Sequence, residues 1–287
     1  MTEIGHRGGG LSGLREWWER ETRRPTGGSF AARAAQVHRR RDVLRMLVTR
    51  DLKRKYGNSY LGYAWTLLDP ALMIGVYWLV WGHVARLGVH DYVLFLATAM
   101  MPWMWFRAAV NGSTDVIIGS SRLVTSISLP REIYPVGLVL TKMLEFFITL
   151  PLVWALALIY GAPPTKWAFA LPLAILLQLL LSVGLALMLS ALTTLFRDID
   201  RALHSFMRVL FYLTPIIYPT GRLHGKIHAL FVINPLVGIF DMHRAVFFPQ
   251  TVVTRQMLAI SIAGSLFFFV VGWATFMKLE RPMLKEL

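Results

Sequence analysis

The chain has 287 residues, 55% of them hydrophobic, and a mean hydropathy of +0.52, above the apolar share of about 45 to 50% of an ordinary soluble domain. A formal net charge of +14 would direct attention to nucleic acid in a soluble protein, but the cations fall mainly on one side of long apolar runs, and nucleic acid is not expected as a partner. The chain has no cysteine, which excludes disulfides and thiolate metal sites.

Residues 1–37, with Gly8-Gly9-Gly10 and Thr26-Gly27-Gly28-Ser29, read as a flexible basic tail with room for a short helix around Trp17 and Trp18. The first apolar run begins only after about 60 polar residues, too late for a cleavable signal peptide, so the first span is expected to be retained. Before it, Leu44, Leu47, Val48, Leu52 and Tyr56 recur at helical spacing while Arg45, Thr49 and Lys53 point elsewhere. This pattern predicts an amphipathic helix over 38–60 lying in a membrane interface.

The rest, 61–287, reads as an all-α polytopic membrane domain. Six runs of membrane-spanning length fall at roughly 64–86, 91–112, 136–160, 168–196, 203–218 and 256–277. Two hold an internal proline, Pro102 and Pro151, tolerable where neighbours satisfy the freed backbone groups. From residue 44 onward twelve Lys and Arg fall on one side and six on the other, so the positive-inside rule puts both termini in the cytoplasm, as an even number of spans requires. The loop 113–135 carries an amphipathic patch (Val116, Ile117, Ile118, Leu123, Val124, Ile127 and Leu129) and then Pro130-Arg131-Glu132-Ile133-Tyr134-Pro135. It is either a loop folded on its own spans or a docking surface. Residues 219–255 hold two apolar runs split by Asn234-Pro235, each too short to cross, and predict either a re-entrant hairpin dipping in from outside or a surface cap.

Catalytic signatures are weak. Gly221-Arg222-Leu223-His224-Gly225-Lys226-Ile227 lacks the spacing and the Ser or Thr of a Walker A loop. Asp198-Ile199-Asp200 mimics a metal-holding acidic pair, but Arg197 and Arg201 flank it, and mutual salt bridging is the simpler expectation. The eight histidines form no His-x-x-x-His pair, and His83 is expected to bond a neighbouring helix. Lys142 and Glu145, three apart on the third span, share a face and form either an internal ion pair or part of a polar conduit. Arg107 and Arg208 can snorkel to headgroups. Interface belts explain Trp65, Tyr77, Trp78 and Trp81. Trp103 lies 11 residues beyond Tyr92, about 16 Å deep, with Trp105 and Phe106 close by, and such rings either pack between helices or offer flat faces to sugar rings.

The string Arg50 to Pro70 resembles the lead-in to the first span in the membrane subunit of type-2 ABC exporters, which move lipid-linked polysaccharide, O-antigen or teichoic acid out of bacteria. The Pro130 to Pro135 loop, the Phe196 to Arg201 turn, the Tyr212 to Tyr218 run with Pro215, and Asn234-Pro235-Leu236 with Arg244 downstream follow in the family's order, so the resemblance covers about residues 38 to 285. Two departures are Asp69, where a neutral Asn is expected before Pro70, and the longer N-terminal tail.

The resemblance implies a homodimer in the bacterial cytoplasmic membrane, working with two copies of a separate ATPase that binds ATP and Mg, so that this chain needs no cofactor and is not itself an enzyme. Leu129, Pro130, Arg131 and Glu132 would form the ATPase-coupling loop. Arg50, Lys53, Arg54 and Lys55 would meet headgroups and the lipid diphosphate. Tyr77, Trp78, Trp81, Trp103, Trp105 and Phe106 would supply channel aromatics, with Lys142 and Glu145 as intramembrane charge. Asn234, Pro235 and Arg244 would belong to the outer gate. Competing readings are an exporter of drugs or lipids and a membrane-embedded glycosyltransferase using Asp198 and Asp200. Proton-coupled carriage has little support, with no internal repeat and Glu145 the one acid deep in a span. The excess of arginine over lysine, 23 to 7, hints at an actinobacterial-type wall and lipid-linked galactan.

Overall fold

The computed structural model describes residues 30–56, 62, 64–84, 88–120, 129–222 and 225–286. Those residues are helices and connecting turns, with no strand among them. Phe30–Arg39 forms α1, Arg41–Tyr56 α2 and Ala64–Tyr77 α3, which widens into a π-helix over Trp78–Val84. Tyr92–Ser113 is α4, Ile133–Ile159 α5, Leu171–Leu195 α6, Asp198–Leu213 α7, Gly225–Val232 α8, Pro235–Ala245 α9 and Arg255–Lys285 α10.

Five helices are long and apolar enough to cross a membrane: Ala64–Val84, Tyr92–Ser113, Ile133–Ile159, Lys166–Leu195 and Arg255–Lys285. Helix α4 is the centre of the bundle, with 78% of its most apolar window buried against 11% for Ala64–Val84. Helices α6 and α10 form the most extensive pair. Gly184 and Gly272 face each other there at backbone contact, the small-residue packing typical of membrane helices.

The expected span 203–218 differs. Its helix, α7, has 16 residues, about 24 Å against a hydrocarbon core of about 30 Å. It ends where Thr214, preceding Pro215, turns to extended backbone at φ −110°, ψ 129°, as the pre-proline clash favours. Thr214 to Ile217 then continue as buried, non-helical chain. The ends of this composite element match the ends of α4. Thr114 Oγ1, just past α4, donates to Asp200 at 2.7 Å, and Tyr92 Oη at α4's first residue donates to the carbonyl of Ile217 at 2.9 Å.

The N-terminal segment is also more ordered than expected from residue 30 on. Phe-Ala-Ala-Arg-Ala-Ala-Gln-Val is rich in the best helix former, and α1 packs on the last turns of α10, with the Phe30 and Trp273 rings 5.0 Å apart. That end of the bundle is called inner below, and the opposite end, at Tyr92 and Ile217, outer. Helix α2 turns Leu44 and Leu47 onto Gly137 of α5, while Arg45, Thr49 and Lys53 remain exposed.

Candidate functional site

At the outer end a polar network holds the unwound chain after α7. Asn234 and Pro235 start α9, the asparagine side chain accepting from the Leu236 amide at 3.0 Å and proline occupying the first helical position. Asn234 Nδ2 also donates to Thr214 Oγ1 at 3.0 Å. Nearly three turns on, Arg244 is 1% exposed. Its Nη1 donates to the Pro215 carbonyl at 3.0 Å and to Asp241 Oδ1 at 3.2 Å, and its Nη2 to the Ile216 carbonyl at 3.1 Å. Its guanidinium carbon sits 3.8 Å above the Phe95 ring centre, a cation–π contact suited to arginine's planar fork. Asp241 in turn accepts from Thr220 Oγ1 at 2.7 Å. Carbonyls that helix breaking would leave unpaired in an apolar setting are thereby satisfied. A cleft of about 620 Å³ opens beside the network, lined by Phe95, Thr220, Asp241, Arg244, Phe248 and Met257 among others. The three residues expected at an outer gate, Asn234, Pro235 and Arg244, are thus brought together on the unwound segment, and Asp241, Thr220 and Tyr92 join them.

A second charged cluster lies nearer the inner end. Glu145 accepts from Lys142 at 3.1 Å and from Lys55 at 2.9 Å. With Asp69, Trp105 and Thr149 these residues line a pocket of about 160 Å³. Lys55, which remains exposed, thus also ties α2 to α5, because the end of α2 passes within reach of the Glu145 carboxylate. Arg50 pairs with Asp51 at 2.8 Å on the surface, and Lys53 and Arg54 are exposed.

The expected channel aromatics divide. Trp78 is exposed, and Tyr77 and Trp81 half-buried. Trp103, Trp105 and Phe106 are 2 to 3% exposed and belong to the core of the single chain. Phe211 packs 5.5 Å from Trp103 and Phe146 stacks on Trp105 at 5.2 Å, so the apolar demand of the buried α4 takes up their faces.

The residues expected to form a coupling loop also turn inward. Leu129 and Pro130 are half-buried, and Glu132 is 1% exposed beside Ile133, the start of α5. Arg33 of α1 donates to Glu132 at 2.7 Å and to Glu280 of α10 at 2.5 Å, and Arg131 donates to the second oxygen of Glu280 at 2.7 Å. Burial alone would lower the Arg33 pKa, but its hydrogen bonds and charge interactions with Glu280 and Glu132 outweigh this, and the pKa is raised. Residues 121–128, with Leu123, Val124 and Ile127 of the amphipathic patch, lie outside the described residues.

Smaller expectations resolve differently. No ion pair joins Asp198 or Asp200 to Arg197 or Arg201 among the described residues. The two acids sit in the first turn of α7, where the helix dipole favours them. His83 meets the Trp78 ring edge at 4.9 Å, a contact the wide π turn brings about. Among the described residues no group of three or more His, Cys, Asp or Glu could hold a metal ion.

The ABC-2 type transporter family model matches residues 42–248. Over 241 residues the chain is 29% identical to the O-antigen export system permease protein RfbA of Myxococcus xanthus, covering 83% of this chain and 92% of that protein. An RfbA of Klebsiella pneumoniae is 28% identical over the same shares, and the polysialic acid transport protein KpsM of Escherichia coli is 22% identical over 83% of this chain and 93% of its own. The matched segment contains four of the five long apolar helices, the polar network at Arg244 and the loop at Glu132; the chain belongs to the ABC-2 type transporter family.

Proposed function

We propose that this chain is the channel-forming permease of an exporter that passes a polysaccharide carried on a polyprenyl diphosphate lipid outward across the cytoplasmic membrane, driven by ATP hydrolysed on a separate subunit. The observation that carries the reading is similarity to permeases named for O-antigen and polysialic acid transport over more than 90% of their own length. Two copies of the chain enclose the path. Helix α3, with its weakly buried apolar surface, and α7, with Phe206, Val209 and Leu213 exposed, supply the flank for the second copy, and the Tyr77 and Phe211 rings, 5.5 Å apart, join the two helices.

Six crossings with both termini inside complete the reading. The reading is supported by α1 packing against the end of α10, as expected if both chain ends lie on one face of the membrane, and by α7 with its extended continuation, whose two ends meet the two ends of α4. The exposed Lys53 and Arg54 meet anionic headgroups and the lipid diphosphate, the loop before α5 engages the ATPase, and the α8–α9 hairpin re-enters the membrane as the outer gate.

Depletion of the protein in its native cell tests the reading. Polyprenyl-linked glycan is expected to accumulate inside while surface polysaccharide is lost and glycan synthesis in membrane extracts is unchanged. No change in any glycan intermediate would leave a type-2 exporter of drugs or lipids as the better account.

A further inference from the structure

Helix α1 lies before residue 42, where the family match begins, and the proposed function gives it no task. Its Phe30, Arg33, Ala34 and Val37 fall on one helical face. Phe30 meets Trp273 and, edge-on at 6.0 Å, Phe269 of α10. Arg33 is 6% exposed and forks between two carboxylates, Glu132 and Glu280, that are themselves 1% and 3% exposed. One carboxylate belongs to the loop before α5 and the other to the last span. Arg131 joins the group through the second oxygen of Glu280, so among the described residues the two buried anions each meet at least one cation. Removing one member of such a group leaves a stranded buried charge.

Helix α10 carries the connection outward. Its 31 residues measure about 46 Å. Near its outer end Ser261 Oγ donates to the Pro235 carbonyl at 2.8 Å, and Gly238 of α9 packs directly on Met257 and Ser261. One continuous helix thus touches the inner ion group at one end and the outer hairpin at the other.

We propose that α1 is an added coupling strap and that Arg33 is a positioning residue: by holding Glu132 and Glu280 in one guanidinium it makes the loop and α10 move as one body, so that displacement of the loop reaches the hairpin at Asn234 and Arg244. The strap rests on the reading of that loop as the ATPase contact.

The test uses the full chain in its native cell, depleted of wild type and complemented with wild type, Arg33→Gln, Arg33→Lys, Glu132→Gln or the Arg33→Gln/Glu132→Gln pair, together with the ATPase complex purified from each strain. Arg33→Gln is expected to keep membrane abundance and ATP hydrolysis within about twofold while polysaccharide exported per ATP falls at least about tenfold. Arg33→Lys keeps the charge but not the fork and falls between. The pair is expected to be no worse than Arg33→Gln alone, since the two residues act as a unit. Phe30→Ala loosens the seat of α1 without stranding a carboxylate and is expected to lower coupling in the same direction, which keeps the test decisive if Arg33→Gln does not accumulate. The strap is overturned if these variants export as wild type does, or if abundance, hydrolysis and export fall together, as for a merely structural ion group. Should wild type itself restore no polysaccharide, the exporter reading fails first and the strap goes with it.

Discussion

Arg244 decides whether the outer end of the bundle can hold a broken helix. Its guanidinium serves two carbonyls and a carboxylate at once, so Arg244→Met would remove the cation beside the buried Asp241 and leave two buried carbonyls without this donor. Breaking a buried pair this way costs roughly 3 to 5 kcal/mol, and the detergent-solubilised protein is expected to melt well below wild type. Arg244→Lys supplies a point charge without the fork or the ring contact and should fall between the two. The double variant Arg244→Met/Asp241→Leu should recover part of the loss, because the buried carboxylate is then removed together with its cation. A melting point for Arg244→Met equal to wild type would mean that the network contributes nothing to stability. The sequence marked Arg244 only by its place after Asn234-Pro235. Its two carbonyl acceptors lie 28 and 29 residues earlier, beyond the reach of any local pattern. The same distance effect hid Lys55: Lys142 and Glu145 were legible as an i, i+3 pair, whereas the cation that shares Glu145 comes from 90 residues away.

Elements were legible in proportion to how far composition alone determines them. Hydropathy located every long helix, but it ran one apolar segment through Pro215 and its neighbours, where the helix in fact ends at Leu213. The proline signal was present, and apolar content outweighed it, because a window average does not register a missing N–H or a pre-proline clash. Burial within the protein was not legible either, since a lipid-facing helix and a core helix are both apolar; this is why the sequence left Trp103 and Trp105 open between helix packing and a face offered to sugar rings. The α6–α10 contact shows what decides such packing. A Cβ on Gly272 would fall onto the Gly184 carbonyl, and one on Gly184 onto the backbone at Phe268. Gly272→Ala must therefore displace backbone and not a flexible side chain, and a cost of roughly 3 kcal/mol, the upper end for overpacking, is expected. Gly75, with nothing within 4 Å of its virtual Cβ, is the control, and Gly75→Ala should leave the melting point unchanged or slightly raised. Equal behaviour of the two variants would show that the helices separate freely at Gly184.

At the scale of the whole molecule the open quantity is the number of crossings, and the absence of cysteine makes it directly measurable. Single cysteines at Gln36 in α1 and Glu286 after α10, both exposed, report the two chain ends. Gln250 beside the outer cleft and Gly119 in the loop after α4, also exposed, report the two ends of the bundle. In intact cells an impermeant maleimide should label Gln250→Cys at once and reach Gln36→Cys, Gly119→Cys and Glu286→Cys only after permeabilisation. Five crossings would put one chain end outside and label Gln36→Cys or Glu286→Cys in intact cells. That result would also break Arg33 from Glu280, since a hydrogen bond cannot join opposite faces of a bilayer. On the proposed six crossings, α7, 16 residues long, is the helix that crosses with the help of the extended chain that Arg244 and Tyr92 hold, and labelling of Gln250→Cys alone in intact cells is the outcome that supports it. A helix too short to span would then be completed by backbone whose carbonyls the protein itself satisfies, beside the cleft that Arg244 lines.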